Sequence, residues 1–246
     1  MKRLHWQTVL GIVLVALSAI VYVIHYVIFR DAHHIFIYLI GDIAFVFFEV
    51  LLVTLIIHQL LSEREKRAKL EKLNMVIGAF FSEVGIELLT YFSDFDPRLD
   101  QIRGELIVTK DWSDREFTHV SRRLKNYEYS VDVAKVNLED LRTFLVGKRN
   151  FLLRLLENPN LLEHESFTEL LRAVFHLTEE LGNREDIKEL PETDYKHLAG
   201  DIKRVYVQLV GQWLDYMKHL KDNYRYLFSL AMRTNPFDQE ASPIVK

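Results

Sequence analysis

No cysteine occurs anywhere in the chain's 246 residues, so disulfides, thiolate metal centres and cysteine nucleophiles are all excluded. Glycine is scarce, at nine residues, and every glycine stands alone. There is consequently no Gly-x-Gly-x-x-Gly and no Walker loop whose backbone amides could cradle a phosphate. A Gly-x-Ser-x-Gly elbow and a His-Glu-x-x-His motif are also missing, which removes the usual signatures of serine hydrolases and zinc proteases. Nor is there an excess of positive charge. Lys and Arg number 31 against 35 Asp and Glu, a formal net charge of −4, so a nucleic-acid partner has no electrostatic support. No internal repeat and no low-complexity segment interrupts the chain.

Charge is also missing locally. Residues 1–60 hold three basic residues (Lys2, Arg3, Arg30) and three acids (Asp31, Asp42, Glu49), leaving 28 basic and 32 acidic residues for the remainder. The sequence thus divides into an apolar N-terminal part and a slightly acidic, ordinary soluble part. Residues 8–29 carry no formal charge over 22 positions, about 33 Å of helix at 1.5 Å per residue, enough to cross a hydrocarbon core. Residues 35–61 form a second run of sufficient length, interrupted by Asp42, Glu49 and His58. Only residues 30–34 separate the two, so the spans are expected to be antiparallel neighbours. Lys2 and Arg3 precede the first span, and Arg64, Lys66, Arg67, Lys69 and Lys72 follow the second. The positive-inside rule then puts both termini in the cytoplasm, with the chain in the cytoplasmic or inner membrane. A cleaved signal ending near Ala16-Leu17-Ser18 is the competing reading, but the apolar run continues for 11 residues past Ser18.

Beyond residue 61 the pattern is helical throughout. Glu63/Arg67 and Glu65/Lys69 are acid-to-base pairs at i,i+4 that support a solvated helix over 62–96. Within it, 73–92 is mostly apolar but carries Asn74, Glu83 and Glu87. A third span would place both glutamates in lipid at about 2.5–3.5 kcal/mol each, so a helix buried in protein is expected instead. Gly78, Ser82 and Gly85, with Phe80 and Phe81, read as a surface for close packing, including packing on a second copy. Ser113-Asp114-Arg115-Glu116 and Ser166-Phe167-Thr168-Glu169 read as capping boxes. Helices are expected over 133–157 and over 192–233. The last has a 4-3 seam of Ile202, Tyr206, Leu209, Trp213, Tyr216, Leu220, Leu227 and Leu230, broken by Asn223. Pro97, Pro159, Pro191 and Pro236 punctuate these helices. The one strand-like run, 105–109, is too short to build a sheet. The expected organisation is all-α: a transmembrane hairpin over 1–61, a juxtamembrane helix over 62–96, a cytoplasmic antiparallel bundle over 97–236 and a flexible tail over 237–246.

Asp42 and Glu49 are the candidate functional residues. Seven positions apart, they share one face of the second span, with Glu49 near mid-bilayer. Counted from the turn, Asp42 lies level with Tyr22 and near His25, while Glu49 lies between Val15 and Ser18. The acids therefore read either as hydrogen-bonding groups that hold hairpins together or as the lining of a cation or proton pathway. Arg64, Lys66, Arg67 and Lys69 are candidates for lipid headgroups, although Glu63, Glu65 and Glu71 reduce their attraction. Glu116-x-x-His119 and Asp194-x-x-His197 are close to the Glu-x-x-His spacing of di-iron bundles, but two motifs in solvated first turns do not make a site. Neither metal nor cofactor is expected, and no enzymatic activity. The expected function is a non-enzymatic, homo-oligomeric, membrane-anchored scaffold or signal-coupling protein. Its partners are the lipid bilayer, further copies of itself and an unidentified cytoplasmic protein. The alternative is a homo-oligomeric cation channel.

Overall fold

A computed structural model describes residues 6–159, 161 and 164–245, and the side chains of all of these but 7 and 67–69. The described residues form helices and no strands. They divide into two compact units, 1–66 and 67–246.

The first unit holds α1 (Trp6–Phe29) and the beginning of α2 (Ala32–Phe80). Its turn is tighter than residues 30–34. Only Arg30 and Asp31 stand outside the helices, because Arg30 takes a left-handed φ of 49° and Asp31 caps α2. The Asp31 Oδ1 accepts from the backbone N–H of His33 at 3.0 Å and of His34 at 3.2 Å. Side-chain burial in this unit is confined to the neighbourhood of the turn. His25, Ile35 and Leu39 are half-buried, and all other described side chains of the unit are exposed.

The second unit is built around one long helix. It comprises the end of α2, a π-helical turn (Phe81–Gly85), α3 (Ile86–Asp94), two 3-10 turns (Leu99–Gln101 and Arg103–Leu106), α4 (Asp114–Lys125), α5 (Leu138–Leu156), α6 (Glu165–Gly182), α7 (Glu192–Asn223) and α8 (Arg225–Arg233). The pairings that cross between helices run in opposite senses along the chain. Ser166 meets Gln212 and His176 meets Asp201, so α6 and α7 are antiparallel. By the same reading Phe81 stacks on Tyr216 while Phe92 meets Tyr206, so α3 and its preceding turn are antiparallel to α7. Arg149 pairs with Glu179 and Val146 faces Gly182, so α5 is antiparallel to α6. Along the seam of α7, Ile202, Tyr206, Leu209, Trp213 and Leu220 are buried and Tyr216 is half-buried.

Several boundaries differ from the sequence expectation, each for a local reason. The Ser113 capping box forms, with its backbone N–H donating to the Glu116 carboxylate. The second box does not. His164 caps α6 instead, its Nδ1 accepting from Phe167 N–H at 3.3 Å, and Ser166 Oγ accepts from Gln212 Nε2 at 3.0 Å. α5 starts at Leu138 rather than 133, because the Asn137 side chain accepts from the Glu139 and Asp140 amides. The helix expected to run to 233 breaks at Tyr224, and Leu227 and Leu230 beyond the break are exposed. Phe237, placed by the sequence in a flexible tail, is a fully buried core residue whose ring lies 4.9 Å from that of Trp213. Asn235 anchors it by donating to the Leu106 carbonyl and accepting from the Phe237 amide.

The π turn solves a packing conflict. Adjacent residues on an α-helix point about 100° apart, yet Phe80 and Phe81 are both buried, Phe80 against Phe167 at 5.4 Å and Phe81 stacked on Tyr216 at 5.0 Å. The wider turn after Phe80 re-aims the following side chains. It also lays the Phe81 ring over Gly85, where a Cβ would come within 2.5 Å of Phe81 Cδ1. Gly85→Ala is therefore expected to displace Phe81 from Tyr216 and destabilise the fold by about 1–3 kcal/mol, as overpacking does. Chemical denaturation of the full chain in detergent measures it, and an unchanged midpoint would contradict this account of the turn.

Candidate functional site

Among the described residues, no hydrogen bond, ion pair or ring contact joins Asp42, Glu49, Tyr22 and His25 to one another. Asp42 and Glu49 are exposed on α2, and among the described residues neither has a hydrogen-bond partner. Tyr22 is likewise exposed. His25 turns to His34, with ring centroids 5.9 Å apart and planes at 6°, and to Phe29 at 4.7 Å. Its Nδ1 is buried without a partner. Within this single hairpin the acids make no hydrogen bond to Tyr22, His25 or Ser18, because α1 and α2 cover each other only near the turn; the expected bonds are ones that hold separate hairpins together. Both carboxylates are exposed.

The five packing candidates divide into two groups. Phe80, Phe81 and Gly85 are buried inside their own bundle and are not free to meet another copy. Gly78 and Ser82 border an open groove of about 590 Å³, also lined by Tyr216, His219 and Leu227. Arg64 and Lys66 are exposed on α2. The side chains of Arg67 and Lys69, with Lys2 and Arg3, lie outside the described residues.

A polar cluster on α6 and α7 was not anticipated from the sequence. His176 and Glu180 lie one turn apart on α6, and His197 and Asp201 one turn apart on α7. The antiparallel packing brings the two pairs together. His197 Nε2 is 3.5 Å from Glu180 Oε2 and 3.4 Å from Asp201 Oδ2. His176 Nε2 is 3.5 Å from Asp201 Oδ2 and 3.8 Å from Glu180 Oε1. Asp201 is only 3% exposed, and its Oδ2 has no hydrogen-bond partner. Two arginines flank the cluster. Arg204 holds Asp201 Oδ1 at 2.9 Å, and Arg184 reaches Glu180 at 2.9 Å and Asp194 bidentately at 2.8 Å. These bonds hold the Glu180 and Asp194 carboxyls below their ordinary range and raise the Arg184 guanidinium above its own.

The two pairs at Glu-x-x-His-like spacing have separate partners. Asp194 belongs to Arg184, and His197 turns to the other acids. Glu116 is used by Ser113, and His119 is exposed on α4. The informative signal was His-x-x-x-Glu on one helix and His-x-x-x-Asp on the next.

Comparison with known proteins places the two units in two matched segments. Residues 2–61 match the family described as "MJ1433, N-terminal helical domain". Residues 69–233 match "Uncharacterized protein MJ1433, C-terminal helical domain". The chain is similar along its length to a protein of Methanocaldococcus jannaschii described as "Uncharacterized protein MJ1433". The two are 48% identical over 241 residues, which is 98% of this chain and 97% of that one. No solved structure matches.

The arginine bridge has a pH signature. Glu180 and Asp194 are more acidic folded than unfolded, so their contribution to stability is present above the unfolded carboxyl values. It is lost as pH falls through the depressed folded values. Arg184→Ala is expected to cost about 1 kcal/mol at pH 7. The gap from wild type should narrow below about pH 4, where the carboxyls protonate. Thermal unfolding across pH checks this, and a gap that widened in acid would contradict it.

Proposed function

This chain belongs to the MJ1433 family, and we propose that it is a non-enzymatic, oligomeric integral membrane protein that anchors a helical bundle at the membrane as a scaffold or signal-coupling module. The observation that carries the proposal is the surface of the first unit. An apolar helix of 22 residues, Thr8–Phe29, and the apolar beginning of α2 leave nearly every side chain exposed. Such a surface suits a hydrocarbon solvent and not water. On this reading both termini are cytoplasmic, the turn at Arg30–Asp31 is on the far side, and Arg64 and Lys66 lie at headgroup level.

Coupling is supported by connectivity. The single helix α2 supplies exposed apolar residues such as Phe47 to the first unit and the core residues Leu73, Ile77 and Phe80 to the second. Oligomerisation is supported by Asp42 and Glu49. Each carries a penalty of a few kcal/mol in lipid unless paired, neutral or wet, and neither finds a partner in its own hairpin. A neighbouring copy supplies one. The same two acids favour a second reading, a cation pathway. It differs in requiring a closed ring of subunits that turn their acidic faces to a shared lumen.

The absence of native cysteine makes topology directly testable. In His33→Cys, a membrane-impermeant maleimide is expected to label intact cells from outside. In Lys110→Cys, labelling is expected only after permeabilisation. Equal labelling of both from outside, or the reverse order, would contradict the anchored hairpin.

A further inference from the structure

We propose that Glu180, His197 and Asp201, with His176 beside them, form a binding site for a first-row divalent cation of the zinc class, held between α6 and α7. Distances carry the argument first. The donor atoms of Glu180, His197 and Asp201 all lie within 4.8 Å of one another. Tetrahedral bonds of about 2.0–2.1 Å place neighbouring ligand atoms about 3.3–3.4 Å apart. The four histidine–carboxylate separations are 3.4, 3.5, 3.5 and 3.8 Å. A closed N–H···O hydrogen bond would bring the same atoms to about 2.7–3.2 Å. For Glu180 Oε2, His197 and Asp201 the spacing is that of ligands around a shared ion and is too long for direct hydrogen bonds, while His176 faces Asp201 and the other Glu180 oxygen.

The buried acid is the second, independent observation. Asp201 is 3% exposed, its Oδ1 is fixed by Arg204, and its Oδ2 has no hydrogen-bond partner while facing both imidazoles. Arg204 already pairs with the carboxylate, but the buried Oδ2 stays without a partner, a cost that a cation in the gap would relieve. With neutral imidazoles, every atom converging on the gap offers a lone pair. The three carboxylates Glu180, Asp194 and Asp201 outweigh the guanidiniums of Arg184 and Arg204 by one negative charge.

The donor set selects the metal. One imidazole nitrogen and two carboxylate oxygens, with His176 or water to complete the shell, suit zinc and its neighbours better than magnesium or calcium, which prefer oxygen alone. His176 and His197 are half-exposed, so an ion and water can reach the site from outside. Arg204 and Arg184 act as positioning residues that orient the two carboxylates. A bound ion would tie the C-terminal part of α6 to the N-terminal part of α7. The competing arrangement is a set of ion pairs between protonated histidines and the same acids.

Untagged full-length protein in detergent, dialysed against Zn2+ and analysed for metal, tests the proposal. The expected result is one equivalent of zinc per chain and a rise in thermal unfolding temperature on loading. In His197→Gln zinc affinity is expected to fall sharply, and in His176→Gln to fall less, with thermal unfolding of the metal-free variants checking that they fold. Arg204→Gln is expected to weaken it roughly 10- to 100-fold without removing a ligand. Zinc retained at full affinity by both histidine variants would place it on other histidines and overturn the site. Wild-type protein that binds no zinc, with an unfolding temperature that falls as pH rises through the histidine range, would identify the ion-pair arrangement and overturn it equally.

Discussion

An α-helix satisfies its own backbone hydrogen bonds, but its side chains still need surroundings that suit them. The two units of this chain meet that constraint in different ways. The second unit buries its apolar faces around α7, against which α3, α4 and α6 pack. The first unit has nothing of the kind. Apart from His25, Ile35 and Leu39, its described side chains are exposed. The proposed membrane placement follows from that surface, and the exposed acids on α2 raise the need for a protein partner inside it.

Local chemistry with short-range consequences was legible in the sequence. The Ser113 box needs only residues 113–116, and it formed. Burial of 73–92 followed from the cost of its glutamates in lipid, and Phe80, Val84 and Leu88 are fully buried. The seam of α7 was readable as far as Leu220. Features that depend on tertiary partners were not. Ser166 has the sequence of a cap, but Gln212 across the interface claims its hydroxyl and His164 takes its place. Phe237 looked like the start of a tail because nothing local shows that Asn235 is pinned to Leu106, 129 positions earlier.

The same distinction explains the candidate sites. Asp42 and Glu49 stand out in any reading, because charge within an apolar run is visible from composition. The α6–α7 cluster is invisible at that level, since each half is an ordinary histidine one turn from an acid. Only the antiparallel register brings the two pairs together, and only burial leaves Asp201 Oδ2 among them without a hydrogen-bond partner. Gly85 was misread for a related reason. Its smallness accommodates its own neighbour Phe81, not an approaching helix.

The claim on which the functional account turns is that the hairpin's exposed acids are met by another copy of the chain. The mass of the full-length protein reconstituted in lipid nanodiscs tests this most directly. The account predicts an assembly of more than one copy, and roughly four or more would be needed to enclose a water-filled path between two-span subunits. A monomer that stays folded in the bilayer, with Asp42 and Glu49 unaccompanied, would contradict it.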